Sequence, residues 1–310
     1  MLPVDPVGVP PFARVERGPR GLRFAPTVPP AGAAAAPPGP GRVHAAAPAA
    51  LRQGVVVADG KLVLGAGAGV AFSVAAPRMH VIHDRRPTGL DRVVGAAEAN
   101  AGLLHGLDGW RAVVLPSLGD VAPDLGPGPV AIRADGRRIA VDVGGALEEH
   151  DIGAEGPVAR HEGTASALAY ASDGTLQVAA GAAVGPPGTP AAPGSAIVEL
   201  QAAAAAPRLV ARHADGTISV WETGASAPVA SWPSPVAGTG TVALSRDGAL
   251  VALGTPEAAE PVAALVAAAD GSQIRRIEGA RFIAPAPERD TFVVGGDWGC
   301  AWITPPEEDR

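Results

Sequence analysis

The chain has 310 residues, 47% of them hydrophobic but only 4% aromatic, with 41 glycines, 33 prolines and a formal net charge of −7. That length fits one large domain or two ordinary ones, with a core built from Val, Ala and Leu. The acidic balance gives no electrostatic ground for a nucleic-acid partner, the single cysteine excludes an intrachain disulfide framework, and the longest smooth apolar stretch, 62–76, is too short to span a bilayer as a helix.

The first residues show neither a basic n-region nor an apolar h-region, so a cytoplasmic protein without membrane insertion is expected. After a lead of residues 1–11, the segment FARVERGPRGLRFAP (12–26) reads as a strand, a Gly link and a second strand. Arg14, Arg17, Arg20 and Arg23 recur along it, which suits a sheet edge blunted by charge. Residues 27–53 are a low-complexity Ala/Pro insert. Then a motif begins to repeat: a short apolar run, Asp-Gly, another apolar run. It occurs at 55–65, 103–115, 130–143, 167–180, 209–221, 242–254 and 265–277. Asp-Gly between apolar runs is a strong hairpin signal, because both residues tolerate positive φ and match the twist of the flanking strands. Between these hairpins, residues 91–107 read as a site for a short helix. ALEEHDI (146–152) reads as a charged connection between two strands, and 181–195 as a long solvated loop.

Longer units align as well. Residues 103–145 and 209–254 share one plan: strand, Asp-Gly, strand, polar turn, short strand, Pro/Gly link, next strand, Asp-Gly. A unit of about 40 residues with four short strands is the period of a β-propeller. The expected fold is all-β: one propeller domain over 12–304, followed by the acidic tail 305–310. Dividing length by repeat gives seven four-stranded blades, with six or eight as the other counts. Near the C-terminus, 273–285 mirrors 12–26, and three strands follow Arg281. Residues 12–18 are therefore expected to supply the fourth strand and close the ring.

Within this pattern, HADGTISVWET (213–223) resembles the most recognisable stretch of a WD40-type repeat. Asp215 opens the turn and Trp221 follows six residues later. GGDWGCAWIT (295–304) is a second version, with Asp297 and Trp302. The weaker units also resemble YVTN-like propeller repeats. The resemblance implies structural roles for Asp215, Trp221 and Trp302: the Asp accepts hydrogen bonds from a neighbouring loop, and the Trp packs between strands. It also implies a binding scaffold for protein partners.

No cofactor or metal is expected. GAGAGV (65–70) departs from a dinucleotide loop at Val70 and is not followed by a helix. His80 and His83 lie three apart in a strand and point to opposite faces. Cys300 reads as a small buried residue, and no Gly-x-Ser-x-Gly elbow is present. Glu148, Glu149, His150 and Asp151 stand together, and a His beside carboxylates could serve as an acid/base pair. The expected function is that of a non-enzymatic scaffold whose partner surface is the face bearing the inter-blade links, with Arg20, His161, Glu162, His213, Trp232, Asp297 and Trp298 as contact residues. The alternative is a small-molecule-binding or hydrolytic propeller with its site in the axial channel, lined by Arg133, Tyr170, Ser245 and Arg281.

Overall fold

The computed structural model describes residues 13–18, 21–26, 42–45, 52–57, 62–67, 70–75, 81–85, 92–106, 109–115, 119–122, 125–286, 292–296 and 299–303. All regular structure in them is strand. A hairpin of β1 (Ala13–Gly18) and β2 (Gly21–Pro26) is followed by β3 (Arg42–Ala45). One sheet then runs β4 (Gln53–Val57), β5 (Leu62–Gly67), β6 (Val70–Ala75), β7 (Val81–Arg85). The next is β8 (Arg92–Gly95), β9 (Ala101–Gly106), β10 (Gly109–Val114), β11 (Gly119–Ala122). The third is β12 (Val130–Ile132), β13 (Arg138–Asp142), β14 (Ala146–Asp151), β15 (Ala159–Glu162). A three-stranded sheet follows, β16 (Ala167–Tyr170), β17 (Leu176–Ala180), β18 (Ala183–Gly185). Then come β19 (Ile197–Ala202), β20 (Arg208–His213), β21 (Thr217–Glu222), β22 (Ala230–Pro233), and after them β23 (Thr241–Leu244), β24 (Leu250–Gly254), β25 (Val262–Ala267), β26 (Gln273–Glu278). The last sheet is β27 (Phe282–Pro285), β28 (Phe292–Gly296), β29 (Gly299–Ile303), with β3 as its fourth strand.

Within each sheet the strands pair antiparallel, in chain order except that β3 completes the last one. The first strands touch one another in the sequence β4, β8, β12, β16, β19, β23, β27 and back to β4. This is a β-propeller. Turns after first and third strands therefore gather at one end of the ring. Turns after second strands gather at the other, with the links that lead to the next sheet; we call this the link end.

The Asp-Gly turns form hairpins as their chemistry dictates. In five of them the Asp carboxylate accepts the backbone N–H two residues on: Asp135 from Arg137, Asp173 from Thr175, Asp215 from Thr217, Asp247 from Ala249 and Asp270 from Ser272. These bonds hold carboxyls below their ordinary range, at Asp215 and Asp270 chiefly through the backbone N–H and at Asp173 chiefly through the Thr175 hydroxyl. The hairpins are not equivalent, however. Those at 55–65, 130–143, 167–180 and 242–254 join first to second strands. Those at 103–115 and 209–221 join second to third, and that at 265–277 joins third to fourth. The shared plan of 103–145 and 209–254 holds strand for strand, from β9 to β13 and from β20 to β24.

The core lies between neighbouring sheets. One cluster joins Val57 and Leu64 to Val93, Leu104 and Val113; another joins Ala131, Ala140 and Leu147 to Leu168, Leu176 and Val178. Small and β-branched side chains suit sheets packed face to face.

Several expectations are corrected. Residues 12–18 do not complete the last sheet, since β1 pairs with β2 through the register Ala13↔Pro26 to Gly18↔Gly21. The closing strand comes from inside the 27–53 insert: β3 pairs with β29 through Cys300↔Ala45, Ala301↔Val43 and Trp302↔Arg42. The blades are not uniformly four-stranded, because the β16–β18 sheet stops at three. The 181–195 segment is no simple loop. It contains β18 and folds back so that Ala192 bridges Gly181 in parallel. Among the described residues of 91–107 there is no helix; they form β8 and β9 and the turn between them. ALEEHD (146–151) is a strand, β14, and not a connection.

Candidate functional site

Three groups of polar side chains stand out. The first ties the link end together. His213 closes β20 and is 9% exposed. Its Nδ1 lies 2.8 Å from the Ser195 carbonyl, which can only accept, so Nδ1 carries the proton and donates. Nε2 then accepts from the Ser219 hydroxyl at 2.8 Å, and Ser219 Oγ accepts from Trp221 Nε1 at 2.9 Å. Both ring nitrogens of His213, the Ser219 hydroxyl and the Trp221 N–H are thereby all engaged within the protein. Trp221 is 4% exposed and packs with Ala169, Val184 and Leu209, between its own sheet and the preceding one. Asp215 accepts from Thr217 N–H, and its own N–H donates to Ser195 Oγ at 3.1 Å.

Two sheets earlier, Asp142 does a related job. It is 8% exposed, and its two oxygens accept from Gly144 N–H and from Ala165 N–H, both at 2.7 Å. This clasps the turn after β13 to the link that follows β15.

The second group is centred on β14, with one network on each face of the β12–β15 sheet. Adjacent residues in a strand face opposite ways, so Glu148 and Glu149 of β14 enter separate networks. Glu148 accepts from Arg160 Nη1 at 3.0 Å and meets His150 Nε2 at 3.2 Å. Glu149 meets His161 Nε2 at 3.0 Å and accepts from the Tyr170 hydroxyl at 2.9 Å. Burial, with the Glu149 charge beside it, pushes the Tyr170 phenol far above its ordinary value, so it stays a donor.

The third group lines the bore of the ring. Two adjoining lobes of about 170 and 460 Å³ share the walls Val94, Glu199 and Ala202. A register shift between Ile197 and Glu199 in β19 interrupts the regular alternation there. The Glu199 carboxylate accepts from Arg212 Nε at 3.1 Å and from Val242 N–H at 3.3 Å. About a fifth of its side chain (21%) is open to the bore, yet the surroundings are poor enough in water to push the carboxyl above its ordinary range against the pull of Arg212. Arg92, at the start of β8, lines the same bore, and its charge also acts on Glu199.

Of the expected contact residues, the structure keeps His161 half-buried and Glu162 exposed at the end of β15. It removes two. His213 is buried in the network above. Trp232 is 8% exposed and packs against the next sheet, where a Cβ on Gly271 would fall 2.5 Å from its ring. Gly271 is required there twice over, by that contact and by its φ of +74°. Arg20, Asp297 and Trp298 lie outside the described residues. Trp302 lies in β29 opposite Val293. The axial set is corrected too. Arg133 is held by Asp135 at 2.7 and 3.0 Å, Ser245 donates to Asp247 in its turn at 2.7 Å, and Arg281 donates to the carbonyls of Pro256 and Ala258. Tyr170 borders the bore, but its hydroxyl is committed to Glu149.

Asp142, Ser219, Glu199, Arg212 and Arg92 were not among the expected residues. A carboxylate inside the apolar run AIVEL (196–200) was the readable signal for Glu199. Among the described residues, no three His, Cys, Asp or Glu side chains are grouped to hold a metal ion, and no helix is long and apolar enough to cross a membrane. No family model matches the chain, and no curated protein matches it.

Proposed function

We propose that the chain is a non-enzymatic scaffold, a divergent relative of the WD40-type and YVTN-like repeats with seven blades, that docks a protein partner across its link end. The observation that carries this reading is the charge of that end. Glu162, Asp215 and Glu260 are exposed there, and none forms an ion pair among the described residues. A basic partner surface would find them unneutralised, which favours fast, oriented encounter. The acid/base side chains of β14 support the same reading from the other side, because each is engaged by a neighbour and none is left as a nucleophile–base pair.

The experiment is affinity capture from the native host, with mass spectrometry, using the parent chain and a Glu162→Lys, Glu260→Lys double variant. A partner retained by the parent, lost from the variant and released by salt supports the reading. Equal capture by both moves the docking face elsewhere, and no stoichiometric partner at all ends it.

A further inference from the structure

We propose that the bore of the ring is a binding site for a small organic anion, with its head group on Arg92 beside the Glu199–Arg212 pair and its apolar part along the Val- and Ala-lined wall. Arg92 starts β8, so the head-group site lies at the link-end mouth of the bore, inside the ring, and it does not depend on the docking reading.

The charge balance is the first support. The described charged residues that line the two lobes are Arg92, Arg212, Arg246, Glu98 and Glu199: three cations against two anions. The chain as a whole carries a formal −7, so the bore runs against the protein's own sign. Glu98 and Arg246 sit past the ends of β8 and β23, at the end opposite the links, and oppose each other in charge. The remaining three lie where β8 and β19 begin.

Availability is the second. Both Glu199 oxygens are occupied, by Arg212 and by Val242 N–H. Arg212 is therefore partly spent. Arg92 is exposed to the bore and forms no hydrogen bond or ion pair among the described residues. Its guanidinium offers a fork of N–H groups that matches a carboxylate in two-point geometry. A cation placed there would meet Arg92 with no free carboxylate to offset it.

The wall is the third. Val55, Val94, Val198, Ala202 and Ala243 line the lobes. Val198 keeps 37% of its surface exposed although it stands on an innermost strand. A bore lined by four- to six-residue strands such as β8 and β19 is roughly 13–20 Å long at about 3.3 Å per residue. A larger lobe of about 460 Å³ admits a chain of several carbons beside its head group.

Octanoate, octylammonium, octanol and inorganic phosphate are the probes, used on the full chain by calorimetric titration and by melting temperature. Octanoate should bind and raise the melting temperature, while octylammonium should not. Arg92→Gln should weaken octanoate by about tenfold or more, as loss of a charge-assisted bond requires. Arg92→Lys should recover part of that loss. Val198→Trp should fill the bore and abolish binding while the protein still melts cooperatively. Octanol binding as well as octanoate, or Arg92→Gln binding as well as the parent, would overturn the assignment of the head group. Phosphate binding with no binding of octanoate would overturn the organic class.

Discussion

The β19–β22 and β12–β15 sheets solve the same problem with different chemistry. Each must fasten the turn after its second strand to a link that is distant in sequence. In β19–β22, His213 and Asp215 reach back to Ser195, on the link leading into their own sheet, and Ser219 relays the network to Trp221. In β12–β15, Asp142 reaches forward to Ala165, on the link leading into the next sheet. The first arrangement contains the residues by which a WD40-type repeat is recognised, and the second contains none of them. The two sheets therefore share one architecture while different side chains tie turn to link.

The contrast is broken most severely by removing the aromatic member. Trp221→Ala should cost about 3–5 kcal/mol, and Trp232→Ala a similar amount, because both rings fill space between sheets. Thermal melts check this. A Trp232 variant within about 0.5 kcal/mol of the parent would return that residue to the surface.

Removing the polar members tests whether the two fastenings are equivalent. Asp142→Ala removes the acceptor of two N–H groups, that of exposed Gly144 and that of half-buried Ala165, and should cost about 1–3 kcal/mol. Ser219→Ala leaves the Trp221 N–H and the His213 ring nitrogen unpaired and should cost about 1–3 kcal/mol. Urea unfolding of both variants compares them. An Asp142 variant as stable as the parent would mean that the forward clasp carries no load.

A smaller effect should appear at alkaline pH. Tyr170 is the only tyrosine, so its phenolate absorbance reports on one site. Unfolded, the group ionises near 10.0; folded, burial beside Glu149 raises its value well above that. Below 10.0 both states hold the proton. As pH climbs past that value only the unfolded chain releases it, and stability falls. Phenolate absorbance should therefore appear together with unfolding and not before it. Tyr170→Phe should cost about 1 kcal/mol at neutral pH and remove that component of the alkaline loss. The least effect on stability is expected from Glu162→Lys with Glu260→Lys, within about 0.5 kcal/mol, since both side chains are exposed.

The hairpins were legible because their turns are written locally: an Asp carboxylate and a Gly φ need no distant partner. The order of strands across 103–145 and 209–254 was legible for the same reason. What failed was decided at long range. RVHA (42–45) has no strand signal of its own amid Ala and Pro, and becomes a strand because β29 presents an open edge. His213 and Trp232 sit at turn and link positions, where exposure is the natural expectation. A carbonyl 18 residues upstream buries the first, and the following sheet buries the second. The bore was anticipated as a place, and Tyr170 does border it, but Arg133 and Ser245 turn into their own turns and Arg281 is held by the Pro256 and Ala258 carbonyls. Glu199 enters the bore instead, from within a strand.

The closure of the ring bears most directly on all of this, and the single native cysteine makes it measurable. Cys300 stands opposite Ala45 in the β3–β29 register, at a separation that antiparallel partners share with disulfides. An Ala45→Cys chain, mildly oxidised, should form an internal crosslink and run faster on a non-reducing gel, while Val15→Cys should not. A crosslink from residue 15, or none from residue 45, would contradict the closure described here.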